Sequence, residues 1–198
     1  MGQNQSIRYT PHVDWLRDKA ANVYSQFGED GLIGACLFKI GETNRQCFEI
    51  GAADGRFFSN TLRLRELGWR AVLIESDERL AQHLISEFGA KSVCLQMECK
   101  SLNEPLAAAR MSHTPDLGVI DIDGQDWWLW HDLTEFRPRV MLVEVSTRGT
   151  CDPPPERGGE GQAGLDAIVA LGRSKGYTLV AETFCNALFI HTDEMKNL

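Results

Sequence analysis

Two short stretches concentrate side chains able to do chemistry. One runs from Cys47 to Asn60, where Glu49-x-Gly51-x-Ala53-x-Gly55 sets a carboxylate ahead of alternating small residues. Glycine at 51 and 55 permits sharp turning, and alanine at 52 and 53 keeps bulk away, so a ligand can approach exposed backbone N–H groups. The other is Asp121-Ile122-Asp123-Gly124-Gln125-Asp126, followed by Trp127, Trp128 and Trp130. Carboxylates grouped in this way can orient a polar molecule, take a proton or hold a hard cation. Between the two stretches stands Glu75, about 20 residues beyond the glycine loop, where an acid accepts hydrogen bonds from the hydroxyls of a ribose. Of its neighbours, Ser76 belongs to the same candidate site, whereas Asp77 reads as a charge in the first turn of the next helix.

Elements that would carry these residues follow from the apolar runs. Strands are predicted at about 47–50, 70–74, 92–96, 117–121, 140–144, 177–182 and 187–191. Helical patterns fill most gaps, with Thr61 to Leu67 closed by Gly68, Arg79 to Phe88 by Gly89, and Leu165 to Lys175 by Gly176. A further helix is expected over Pro105 to Met111, and a helical pattern over Val13 to Arg17. Strand, turn and helix in alternation imply a doubly wound α/β sheet, whose ligands bind at the carboxyl ends of the strands. The last two strands are joined so closely that they must be antiparallel neighbours. Glu75 and Asp121 thus fall at strand ends, on the side of the sheet where ligands bind.

Two cofactor readings compete for the glycine loop. A dinucleotide fingerprint G-x-G-x-x-G would need glycine at 51, 53 and 56, where Gly51, Ala53 and Arg56 stand. The acid followed by alternating small residues instead resembles the first motif of class I methyltransferases that use S-adenosylmethionine. The strings SQFGED, EIGA-x-DG and IDIDG resemble an FkbM-like branch of that family over about residues 24–191. This resemblance implies a Rossmann-like seven-stranded sheet with the last strand antiparallel. It implies a cofactor site of Gln26, Glu49, Gly51, Ala52, Ala53, Asp54, Gly55, Asn60, Glu75, Ser76, Met97, Glu98 and Asp121. In such proteins the segment holding Gln26 is expected to fold over the cofactor end of the sheet, although Gln, Glu and Asp before a helix can equally be caps. Met97 and Glu98 are placed to flank the adenine, or else form an ordinary loop.

For the transfer itself, Asp123, Glu144 and His131 are the candidate catalytic groups, and the acceptor is expected to be a hydroxyl on a sugar or natural-product scaffold. Related metal-dependent enzymes use carboxylates after the fourth and fifth strands. Asp121, Asp123 and Glu144 could serve so here, but Ser146 is a poor ligand and the metal-free reading is preferred. A D-x-[DN]-x-[DN]-G calcium loop is not matched. The string Asp152-Pro153-Pro154 resembles a D-P-P-Y motif, but it follows the wrong strand and has Pro155 in place of the aromatic. Residues 147–163 lack periodicity and read as a substrate loop.

At 198 residues the chain is expected to form one domain, with 1–23 as an N-terminal extension. Its formal charge of −8 speaks against a phosphate backbone as the main partner. No apolar run is long enough for a membrane helix, and MGQNQSIRYT lacks the apolar run of a secretory leader. The six cysteines form no C-x-x-C pair, so they read as buried thiols of a cytoplasmic protein. Two alternatives remain, an NAD-dependent enzyme and a cofactor-binding relative without turnover.

Overall fold

The central apolar runs become strands because they are buried on both faces of one mixed sheet. A computed structural model describes residues 7–11, 13–90, 92–96, 101–146 and 155–196. The strands are β1 (Arg8–Tyr9), β2 (Gln46–Ile50), β3 (Arg70–Glu75), β4 (Ser92–Gln96), β5 (Leu117–Ile120), β6 (Val140–Glu144), β7 (Tyr177–Glu182) and β8 (Asn186–His191). The helices are α1 (Glu29–Ile40), α2 (Leu62–Glu66), α3 (Glu78–Phe88), α4 (Asn103–Ala108), α5 (Asp126–Asp132), α6 (Leu165–Ser174) and α7 (Thr192–Met195). Strand order is β1-β7-β8-β6-β5-β2-β3-β4, with β4, β3, β2, β5 and β6 mutually parallel. β8 runs antiparallel to both β6 and β7.

Alternation along the strands splits the core into two layers. Phe48, Ile50, Ile120, Met141, Val143 and Phe189 face α4, α5 and α6, with Trp130 fully buried among them. Cys47, Leu117, Val119, Leu142, Leu188 and Ile190 face α1, α2 and α3 through Leu32, Ile33, Leu64 and Leu84. Helix starts follow local chemistry. Asp77 caps α3 by accepting the N–H groups of Arg79 and Leu80 at 2.9 and 3.0 Å, and Gly89 follows the last turn.

Seven strands with only the last reversed were expected, and the sheet holds one more. β1 pairs antiparallel with β7, Arg8 opposite Glu182 and Tyr9 opposite Ala181. Two residues without an apolar run carry no strand signal, and long-range pairing alone makes them one. The Val13–Arg17 pattern gives only a 3-10 turn at Asp14–Leu16. α2 is shorter than predicted, and α1 begins at the acids Glu29 and Asp30. Asp30 Oδ2 there accepts the N–H groups of Val23, Tyr24 and Ser25 at 2.7 to 2.8 Å, which folds the preceding loop back on the helix start.

At the amino ends of the parallel strands, buried Asp116 accepts from Thr43 and from the N–H groups of Asn44 and Arg45. It also takes Arg139 Nη1 at 2.9 Å. That clasp fixes the sheet end opposite the site.

Candidate functional site

The carboxyl ends of β2, β3 and β5 open on a cleft of about 400 Å³. Gly51, Ala53, Glu75, Ser76, Asp121 and Asp123 line it with Ile50, Ile74, Leu80 and Ile122. Its volume lies within the range of small-molecule sites.

Gly51 leaves β2 at φ +76°. Its N–H and that of Ala52 both donate to the Ile74 carbonyl, so the turn is sewn to the end of β3. Ala53, also at positive φ (+45°), donates its N–H to Glu75 Oε2 at 2.8 Å. The other oxygen of Glu75 accepts from Ser76 N at 2.7 Å and Asp77 N at 3.0 Å. Three backbone donors therefore fix this carboxylate beside the cleft, with acceptor capacity left on each oxygen.

At the end of β5, Asp121 and Glu144 share a hydrogen bond. Burial, and then the charge of Glu144, pushes Asp121 up to about 9, so the pair holds a proton at neutral pH. Glu144 is itself raised, first by burial. Its Oε2 accepts the N–H of Asp123 at 2.9 Å, which fixes Asp123 at φ +57° with an exposed side chain. Asp126 is fully buried and closes the turn by accepting from Ile122 N and Gly124 N, both at 2.9 Å. Burial and then Glu144 raise it to about 7.

Several expected site residues lie elsewhere. The Glu49 carboxylate is 3% exposed and taken up by Ser59 Oγ, Asn60 N and Thr61 Oγ1, so it shapes the 59–61 loop. Ala52 packs into the core rather than beside a ligand. Asp54 accepts from Arg56 N and Phe57 N. Gly55 is required by α3, since a Cβ there would meet Leu84 and Phe88 at 2.6 and 2.7 Å. Gln26 is exposed and absent from the cleft wall; what the loop holds instead is buried Glu29, bonded to Phe27 N and Thr183 Oγ1. Asn60 is buried, and its Oδ1 lacks a hydrogen-bond partner among the described residues. His131 is exposed on α5, where it bonds Asp132 and stacks on Trp127. Met97 and Glu98 lie outside the described residues.

The tryptophans do not wall the cleft. Trp130 is core, while Trp127 Nε1 donates to the Ala167 carbonyl at 3.2 Å. Trp128 Nε1 donates to the Pro155 carbonyl at 2.8 Å, and the Arg157 guanidinium lies 4.3 Å from the Trp128 ring centroid. With Gln125 bonded to Gly158 and Gly159, these contacts moor the described part of the predicted substrate loop, 155–163, to α5. Residues 147–154 of that loop lie outside the described residues. Among the described residues, no three His, Cys, Asp or Glu side chains are grouped to hold a metal, and no helix is long and apolar enough to cross a membrane.

Sheet order, the reversed β8 and a cleft over the strand ends define the class: this is the fold of the class I S-adenosylmethionine-dependent methyltransferases. No protein-family model and no curated protein matches the chain. Solved structures do. A candidate O-methyltransferase from Klebsiella pneumoniae aligns over 87% of this chain and 83% of its own, with a TM-score of 0.56 and 12% identity. Cofactor-bound Rv0187 from MTB aligns over 88% and 84%, with a TM-score of 0.52 and 17% identity. Precorrin-6y C5,15-methyltransferase from Geobacter metallireducens GS-15 aligns over 86% and 90%, with a TM-score of 0.51 and 13% identity.

Proposed function

We propose that this chain is an S-adenosylmethionine-dependent methyltransferase of the FkbM-like kind, acting on a hydroxyl of a sugar or natural-product acceptor. The observation that carries the reading is Glu75, a carboxylate fixed by three backbone N–H groups at the rim of the β2–β3 cleft. Such an acid suits two adjacent ribose hydroxyls. Gly51 and Ala53 fit the same ligand, because neither puts bulk between it and the loop backbone. When bound, the cofactor supplies an electrophilic methyl group.

The remaining tasks fall to this chain's own residues. Gly51, Ala53, Glu75 and Ser76 hold and orient the cofactor, Asp121 faces it across the cleft, and the turn after β5 positions the acceptor. Asp123 is the one exposed acid of that turn, so it takes the acceptor hydroxyl's hydrogen bond and then its proton at a carboxylate oxygen. Glu144 acts through Asp123 by holding its main chain. Positioning two groups in line, with water kept out, accounts for most of such a transfer.

Calorimetry with S-adenosylhomocysteine, S-adenosylmethionine and NAD tests the cofactor. Micromolar-range binding of the first two is expected; NAD binding in their place would sink the reading. Release of labelled methyl groups to a panel of hydroxylated acceptors then separates an enzyme from a binding protein without turnover.

A further inference from the structure

Asn186 opens β8 directly opposite Glu144 on β6, so the two side chains leave the same face of the sheet. α1 covers that face, and its buried Glu29 accepts from Thr183 Oγ1 at 2.7 Å and Asn186 Nδ2 at 3.4 Å. The other half of the same carboxamide is unmatched. Asn186 is 3% exposed, and its Oδ1 has no hydrogen-bond partner among the described residues. Buried acceptors are normally paired, so this one calls for a donor that the described residues do not supply.

Its surroundings supply further acceptors. The half-buried thiol of Cys185 is pushed up by burial and then by the charge of Glu29, the acid bonded to its neighbour Asn186, with smaller contributions from Asp121, Glu144 and Asp123. Val145 N, donating to the Cys185 carbonyl at 2.8 Å, ties that turn to the end of β6. At the surface, Phe27 and Phe184 pack with ring centroids 5.0 Å apart, and Phe184 remains 48% exposed.

We infer that this corner is the acceptor subsite and that it selects a ring compound carrying a protonated amine. The ammonium donates to Asn186 Oδ1 and to the carboxyl groups around Glu144, while the ring rests on the Phe27–Phe184 pair. The inference rests on the methyltransferase reading of the adjoining cleft. An ammonium brings three donors and a positive charge, and the corner offers acceptors, negative charge and aromatic faces to meet them. An anionic acceptor meets repulsion instead.

Calorimetry on the whole chain with benzylamine, benzyl alcohol and benzoate tests this, each titrated into protein alone and into protein saturated with S-adenosylhomocysteine. Benzylamine is expected to bind about tenfold tighter than the alcohol, as one charge-assisted bond allows, and benzoate to give no heat. Saturation with S-adenosylhomocysteine should leave amine binding in place. Asn186→Leu should erase the preference for amine over alcohol. Phe184→Ala, at an exposed turn, should weaken benzylamine by about fivefold without touching the buried network. Benzoate binding as tightly as the amine overturns the inference. Loss of amine binding on cofactor saturation overturns it too, by assigning the acids to the cofactor's own ammonium. Amine binding with the stated dependence on Asn186 and Phe184, but no S-adenosylhomocysteine binding, keeps the subsite and sinks the cofactor reading. S-adenosylhomocysteine binding without amine preference does the reverse.

Discussion

Gly51 and Asp121 stand so close that a Cβ on Gly51 would overlap the Asp121 carbonyl oxygen and lie 2.8 Å from its carbonyl carbon. Both oxygen and carbon belong to backbone, which cannot swing away as a side chain can. Gly51→Ala is therefore expected to part the ends of β2 and β5, with a positive φ adding to the strain. The loss should be about 3 kcal/mol. Thermal melting should show a fall of roughly 6–12 °C for a chain of this size. An alanine variant that melts with the wild type would show that the two strand ends are looser than described.

Glu75→Gln keeps the size of the side chain but removes its charge and places an N–H₂ among donors. S-adenosylhomocysteine binding should weaken by about 10–100-fold, the worth of charge-assisted hydrogen bonds to two hydroxyls. Calorimetry reads this directly, and a change under about threefold would remove Glu75 from the cofactor site.

The shared proton of Asp121 and Glu144 makes stability depend on pH in the direction opposite to that of an ordinary salt-bridged acid. Asp121 has its folded-state value raised to about 9, whereas an unfolded aspartate titrates near 3.9. Between those values the folded chain holds more protons than the unfolded one, so stability falls as pH rises. Asp121→Asn removes that titration while keeping a donor for Glu144. Each pH unit in that window costs the wild type up to about 1.4 kcal/mol, so at pH 9 the variant should melt well above it, with the gap closing towards pH 5. A wild type that gains stability from pH 5 to 9 relative to this variant would contradict the shared proton.

Asp123→Asn tests the proton acceptor. Because it is the Asp123 N–H that holds Glu144, the substitution leaves that bond intact. S-adenosylhomocysteine affinity should stay within about twofold, while turnover drops by 10²–10⁴-fold, the usual range for a chemical base, so roughly tenfold or less would exonerate Asp123. Running the assay with EDTA and then magnesium separates a base from a metal ligand, since only a metal site loses activity to the chelator and regains it.

Trp128→Phe removes the donor to Pro155 and weakens the seat of Arg157. The expected outcome is faster amide exchange over residues 156–161 with a stability loss of about 1 kcal/mol. Unchanged exchange there would mean that Gln125 alone moors the segment.

That Glu75 lines the cleft was legible in the sequence because a single strand–helix–strand unit fixes its distance from Gly51 and its place at a strand end. The cleft positions of Gly51, Ala53, Ser76, Asp121 and Asp123 were legible for the same local reason. Glu49 misled: its carboxylate belongs to Ser59, Asn60 and Thr61, and no periodicity encodes the path of that loop. Gly55 carries the motif's glycine, but what demands it is α3 packing from some 30 residues away. His131 and the tryptophans shared a segment with the acids, and the helical turn of α5 sent them elsewhere. Asn186 was out of reach altogether, since its place opposite Glu144 arises from pairing two strands 42 residues apart.

The short β1 also links distant parts of the chain. Thr10 N and Oγ1 bond the carbonyls of Val180 and Leu179, anchoring the start of the segment that ends in Phe27 and Glu29. If the proposed acceptor corner takes a ligand, this two-residue pairing at the sheet's margin becomes a gauge of it: amide exchange at Thr10 should slow when the corner is filled. The same pairing shields the outer hydrogen-bonding groups of β7, so a chain shortened past Tyr9 should associate through that bared edge.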